Sequence, residues 1–148
     1  MLSVQPIKVE DTYAIRHKVL RPNQTIVDCQ YDGDEAENTF HLGVFHKKQK
    51  LICIGSFFQE SHLELQHPVQ YRLRGMATLG EFRNQQAGSL LISEAENILR
   101  YRGVNIWWCN ARITASDYYI KQGLSQLGDV FEIHPIGLHK VMYKIICK

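Results

Sequence analysis

The sequence predicts a mixed α/β sheet built around a parallel strand–helix–strand crossover. A strand-like run over residues 70–79, an amphipathic stripe over 89–101 and a buried apolar strand over 104–111 follow one another directly. Together they have the length of a right-handed crossover between parallel strands. The run over 51–58 is apolar at both parities, the mark of a strand covered on both faces in mid-sheet. Further strand-like runs joined by short polar turns add antiparallel partners. The 148 residues fit one domain, 1–148.

Composition removes several function classes. A hydrophobic share of 45% with 22% charged residues excludes intrinsic disorder. Lys plus Arg is 17 against 15 acidic residues, a net charge of +2, too small an excess to argue for nucleic acid or an anionic membrane. No apolar run approaches the roughly 18–20 residues of a membrane span, and the first residues lack the pattern of a signal peptide. Cys29, Cys53, Cys109 and Cys147 form no CxxC pair, and no two of the seven histidines stand at HxxxH spacing, so no metal site is expected. Reduced thiols in apolar runs point to a cytoplasmic setting.

The elements follow in order. Residues 10–20 read as a first helix, capped by Asp11 or Thr12, with Ile15, Val19 and Leu20 on one face. Arg21-Pro22 stops it, because the residue before proline is pushed out of the helical region. Residues 28–38 read as an acidic loop holding Asp28, Asp32, Asp34, Glu35 and Glu37; it is either simply solvated or a means of steering a cationic amine. Residues 39–46 and 51–59 form a hairpin across the polar turn His46-Lys47-Lys48-Gln49-Lys50. Gly75 inside the 70–79 strand marks a bulge or a close backbone approach.

On the 89–101 helix, Leu91, Ala95, Ile98 and Leu99 share a stripe, and Arg102-Gly103 closes it. After the 104–111 strand come a short helix over 114–122 ending at Gly123 and two antiparallel strands, 125–133 and 138–146. Trp107 and Trp108 point to opposite faces; at least one is core, and the other is a candidate wall for an acceptor pocket.

The sharpest local feature is Arg83-Asn84-Gln85-Gln86-Ala87-Gly88-Ser89, which follows a strand and opens a helix. The first amides of a helix have no internal partner, and with the helix dipole they make an anion site suited to phosphate or pyrophosphate. Arg83 adds a fixed charge with a planar fork of donors. A polar turn with a surface arginine is the alternative reading. The loop is neither GxGxxG nor a Walker loop, and GxSxG is missing from the chain.

The segment Tyr71-Arg72-Leu73-Arg74-Gly75-Met76-Ala77-Thr78, followed by Glu81-Phe82-Arg83-Asn84-Gln85-Gln86-Ala87-Gly88-Ser89-Leu90-Leu91, resembles the central motif of the GNAT superfamily of N-acetyltransferases. A second match runs through Trp108-Cys109-Asn110-Ala111-Arg112 with Ala115, Tyr118, Tyr119 and Gly123-Leu124, and a third through Pro135-Ile136-Gly137-Leu138-His139 and Met142. The likeness covers residues 70–143 and, over 1–60, is mainly one of element order.

The resemblance implies a strongly twisted mixed sheet with a splayed parallel strand pair, flanked by helices on both faces. It implies transfer of acetyl from acetyl-CoA to a primary amine, by direct attack in a ternary complex. By position, Met76, Ala77 and Thr78 would offer backbone groups to the pantetheine arm, and the pyrophosphate would sit on Arg83, Asn84, Gln85, Gln86, Ala87, Gly88 and Ser89. The amide near Met76 would hold the thioester oxygen as it gains charge. Tyr119 matches the tyrosine that protonates the departing thiolate, and a phenol of pKa about 10 suits that task. Asn110 matches a cofactor contact.

One departure stands out. Gln86 occupies the first glycine position of the family loop, while Gly88 keeps the second. Gln86 would fit in a helical conformation with its side chain turned outward, and reduced CoA affinity is expected.

For the base that takes the amine proton, His139, His41 and Glu60 are the candidates, each with a packing or surface role as its alternative. The acceptor is a small-molecule or protein amine, and a homodimer is the default assembly. Two further function classes compete with the enzyme: a non-catalytic acyl-CoA-binding module, and an interaction subunit that binds no CoA.

Overall fold

In the computed structural model, which describes residues 1–47 and 49–147, the chain opens with a strand that the sequence reading did not anticipate. β1 (Leu2–Pro6) runs antiparallel to β2 (Phe40–His46), with Leu2 opposite His46 and Pro6 opposite Leu42. Its segment, LSVQP, has little apolar alternation and ends in proline, which suits only a sheet edge because proline cannot donate to a second ladder. β2 and β3 (Lys50–Gln59) form the expected hairpin. Lys48, in its turn, lies outside the described residues.

The crossover is present. β4 (Tyr71–Thr78) leads through a 3-10 turn (Gly80–Phe82) to α2 (Ala87–Tyr101) and then β5 (Ile106–Arg112). β4 and β5 are parallel, with Tyr71, Leu73 opposite Trp107, Cys109. The helix ends as predicted: Gly103 takes φ +76 and the Val104 amide donates to the Leu99 carbonyl, closing orphan carbonyls of the last turn. After α3 (Ser116–Lys121), β6 (Ser125–Ile133) and β7 (Gly137–Ile145) form a hairpin. β7 pairs antiparallel with β5, and the seven-stranded mixed sheet runs in the order β1-β2-β3-β4-β5-β7-β6.

The chain divides into two compact units. The first holds Met1–Phe58 and Arg74–Ile98. One apolar cluster in it joins Ile15, Ile54, Ala77 and Leu79, with Val19, Leu20, Leu51 and Phe82 packed against it. The predicted inner face of the first helix is thus the observed one. Its form differs from a plain α-helix. A 3-10 turn (Val9–Thr12) precedes α1 (Tyr13–Ile15), and a wide π turn (Arg16–Leu20) follows. The Asp11 carboxylate accepts the Lys8 amide at 3.2 Å, and the Thr12 hydroxyl donates back to the Val9 carbonyl at 2.6 Å; these local bonds compete with α-helical pairing. At the other end the Arg21 amide reaches the Arg16 carbonyl at 3.0 Å, five residues back.

The second unit holds Gln59–Leu73 and the chain from Leu99 onward. Leu73, Ile106, Trp107, Cys109, Leu124 and Met142 are buried in it. Trp107 is the plain core member of the tryptophan pair. Trp108 is buried as well. Its indole N–H donates to the Glu60 carbonyl at 2.9 Å, His62 meets its ring edge-on and Arg72 lies over its face. Among the described residues no helix is long and apolar enough to cross a membrane.

Candidate active site

In the first unit, β4 and the start of α2 place the predicted loop. Ala77 is buried in the apolar cluster, while Met76 and Thr78 are half-buried. The Thr78 hydroxyl donates to Cys53 Sγ at 3.2 Å, and the Leu79 amide donates to the Ile52 carbonyl at 2.8 Å. The turn then projects: Arg83, Asn84, Gln85 and Gln86 are all exposed, and Ala87 turns inward. Asn84 and Gln86 both take φ +65, the left-handed region. Gln86 therefore keeps the backbone that a glycine would supply at low cost. It is not in the ordinary right-handed helical conformation expected from the sequence, although its side chain does face outward. Its carbonyl accepts the Leu90 amide at 3.1 Å and so starts α2. In such a helix the first-turn amides have no earlier carbonyl within it, and the positive end of the dipole lies there.

The same unit contains a buried polar cluster that the sequence reading missed. Arg16, fully buried, donates from Nη1 to Asp34 Oδ2 at 2.7 Å and to the Cys29 carbonyl at 2.8 Å. From Nη2 it donates to Asp34 Oδ1 and to Ser56 Oγ, both at 2.9 Å. Burial by itself would raise the Asp34 pKa, but the hydrogen bonds from Arg16 and from the Tyr31 amide outweigh it and hold the carboxyl below its ordinary value. Asp34 is thus not part of a solvated loop, whereas Asp28, Asp32, Glu35 and Glu37 are exposed. The available signal was an arginine one residue from Ile15 on the inward side of an amphipathic helix, with an acidic partner in the following loop.

His41 belongs to this cluster. Its Nδ1 lies 2.6 Å from Ser56 Oγ and its Nε2 2.9 Å from the Asp34 carbonyl. A carbonyl can only accept, so Nε2 carries the proton and Nδ1 accepts from the Ser56 hydroxyl. Both ring nitrogens are engaged and the side chain is buried.

In the second unit, Asn110 is half-buried on β5 opposite Val141 of β7, and His139 of β7 stands opposite Arg112. His139 is 4% exposed; its Nδ1 lies 2.7 Å from the Gly137 carbonyl. Nδ1 is therefore the protonated nitrogen, and the lone pair of the neutral ring sits on Nε2. Tyr119, on α3, is buried with Tyr118 edge-on against it, and its carbonyl accepts the amides of Gln122 and Leu124 where the helix ends. Glu60 pairs with Arg72 at 3.0 Å.

The thiols are inert by environment. Burial pushes Cys53 up to about 11, with the Thr78 hydrogen bond pulling the other way, and Cys109 up to about 12. All four cysteines are free thiols. Among the described residues no group of three or more His, Cys, Asp or Glu side chains stands together to hold a metal ion.

No family model matches the sequence. The chain is 52% identical over 146 residues to the uncharacterised N-acetyltransferase YitI of Bacillus subtilis (strain 168), covering 99% of this chain and 97% of that one. Its fold is similar to that of FeeM, an N-acyl amino acid synthase from uncultured soil microbes, with a TM-score of 0.80 at 9% identity, over 99% of this chain and 91% of that one. It is also similar to an aminoglycoside 6'-N-acetyltransferase complexed with coenzyme A, with a TM-score of 0.77 at 10% identity, over 99% and 98% of the two chains. The ribosomal-protein-S18-alanine N-acetyltransferase of Escherichia coli has a TM-score of 0.73 at 14% identity, over 100% and 96%. With its motif residues on β4, the α2 turn, β5 and α3, and with a relative of this identity along nearly its whole length, the chain belongs to the GNAT superfamily of N-acetyltransferases.

Proposed function

We propose that the protein moves an acetyl group from acetyl-CoA to a primary amine by direct attack in a ternary complex. The observation that carries this reading is the exposed turn at residues 83–86, with left-handed Asn84 and Gln86 opening a fifteen-residue helix directly after β4. Its donors suit a diphosphate: Arg83 and two amide side chains stand beside the first amides of α2, and Gly88 leaves room for close approach. A neighbour of similar fold has coenzyme A bound.

Acetyl-CoA supplies the activated acyl group, whose C–S bond is exchanged for a C–N bond. The chain's own residues then have separate tasks. Residues 83–89 hold the diphosphate, and the backbone of Met76, Ala77 and Thr78 aligns the arm. The amide near Met76 donates to the thioester oxygen as charge builds on it. Tyr119 gives its phenolic proton to the leaving thiolate, and Asn110 contacts the donor. The amine must arrive neutral and shed a proton after attack. His139 is the favoured base: its Nδ1 bond to Gly137 leaves Nε2 as the acceptor nitrogen, whereas His41 is engaged at both nitrogens and Glu60 is paired with Arg72.

Calorimetry with acetyl-CoA, followed by CoA-thiol release across a panel of amines, tests the proposal. Binding together with turnover supports it. Binding without turnover on any amine would make the chain an acyl-CoA-binding module, and no binding would leave an interaction subunit.

A further inference from the structure

We infer that the surface around Tyr31 and Gly75 is an anion subsite that holds a carboxylate carried by the acceptor, so that the acceptor is a small amino acid. This rests on the acyl-transfer reading above. Three guanidiniums converge on the Tyr31 ring: Arg16 at 3.9 Å from its centroid, Arg74 at 4.4 Å and Arg21 at 5.4 Å. Guanidiniums stack well on aromatic faces, but like charges gathered on one ring repel, and an anion between them relieves that cost.

The buried arginine is incompletely satisfied. Both Nη atoms of Arg16 are engaged with Asp34, Cys29 and Ser56, yet its Nε, equally buried, has no hydrogen-bond partner. A buried donor without a partner is costly and calls for an acceptor. That acceptor cannot be Asp34, whose oxygens are taken up at the Nη end. The Nε faces Gly75: a Cβ at this position would stand 3.2 Å from Arg16 Nε and 3.2 Å from Tyr31 Cε2. Gly75 takes φ +67, so the left-handed backbone and the missing side chain together keep a notch open beside the unpartnered N–H. A carboxylate oxygen lodged there would make a charge-assisted bond to Nε.

Two half-buried arginines extend the site. Arg21 donates only to Gln24 Oε1, a neutral acceptor, at 3.0 Å. Arg74 adds its charge at the Tyr31 and Phe58 rings. Gly75 directly precedes Met76, and one strand residue advances about 3.3 Å. A carboxylate at Gly75 is therefore an α- or β-amino acid's length from an amine attacking a thioester held at the Met76 amide. Polyamines and amino sugars carry no such group.

The test compares alanine, alaninamide and ethylamine, and in parallel glycylglycine against glycine, as acceptors for the full chain with acetyl-CoA. A kcat/KM for alanine at least about tenfold above that for alaninamide is expected, with the ratio collapsing toward one in Arg21→Gln and Arg74→Gln through KM rather than kcat. The two surface-side variants avoid the buried Arg16, whose loss would simply unfold the loop. Preference for glycine over glycylglycine assigns the carboxylate to a free amino acid; equal use of the two overturns that assignment. Equal use of acid and amide overturns the subsite while leaving acyl transfer intact. If acetyl-CoA binds but no amine turns over, acyl transfer fails and the subsite is decided by binding in the presence of CoA. N-acetylalanine binding where N-acetylalaninamide does not, with loss in both variants, upholds it, and equal or absent binding overturns it.

Discussion

The carbonyl of Gln86 accepts the Leu90 amide at 3.1 Å while Gln86 itself sits at φ +65. A residue with a Cβ thus starts α2 from a backbone conformation that glycine adopts freely. A non-glycine residue there costs on the order of 1 kcal/mol. Gln86→Gly is expected to tighten CoA binding in calorimetry, because it clears Cβ from the approach of the diphosphate, and to raise Tm slightly. An unchanged or weaker affinity would show that the glutamine amide itself contributes donors to the ligand.

Asp34 supports Arg16 in a buried pair, so Asp34→Asn leaves a guanidinium without its counter-charge. A loss of about 3 kcal/mol in urea unfolding at pH 7 is expected. The folded-state pKa of Asp34 lies below its unfolded value, so as pH falls the unfolded chain takes up the proton first. The stabilisation is complete above about pH 4, the unfolded value, and is lost as pH falls through the folded value. The gap between wild type and Asp34→Asn should therefore narrow only in acid; a gap constant from pH 7 to acid would deny the pair its role.

What the sequence made legible follows from periodicity and spacing. The crossover, the inner stripe of Ile15, Val19 and Leu20, and the terminal hairpin rest on local patterns that tertiary packing reinforced. β1 escaped notice because a short edge strand needs no apolar alternation, only a neighbour with open hydrogen bonds. The Arg16–Asp34–Ser56–His41 cluster escaped for the opposite reason. Its members lie 7 to 40 residues apart, and polar residues in helix and loop look solvated until the fold brings them together. Gly75 was readable as a close approach, and the structure supplies what it approaches, Arg16 and Tyr31.

Thiol chemistry separates the cysteines. Cys29, Cys53 and Cys109 are buried and burial raises each thiol's pKa, while Cys147 is exposed. Since the thiolate is the reactive form, iodoacetamide at pH 8 should label Cys147 alone in the native protein and all four after unfolding. Peptide mass mapping reads this directly, and native labelling of Cys53 or Cys109 would contradict the burial of β3 and β5.

Tyr119→Phe tests the proton given to the leaving thiolate. The ring is buried against Tyr118, and phenylalanine preserves that packing while removing only the hydroxyl, so Tm should hardly change. A general acid contributes about 100-fold or more, and kcat should fall by that order, with a smaller effect on the acetyl-CoA dissociation constant. A purely structural tyrosine would move stability instead. Leaving-group basicity gives the sharper readout, because an acid matters less when the departing thiolate is already stable. With an acetyl thioester of a strongly acidic aryl thiol, the deficit of Tyr119→Phe should shrink toward wild type. A deficit of the same size for both donors would mean that the hydroxyl positions the acyl group and that the thiolate leaves without its proton.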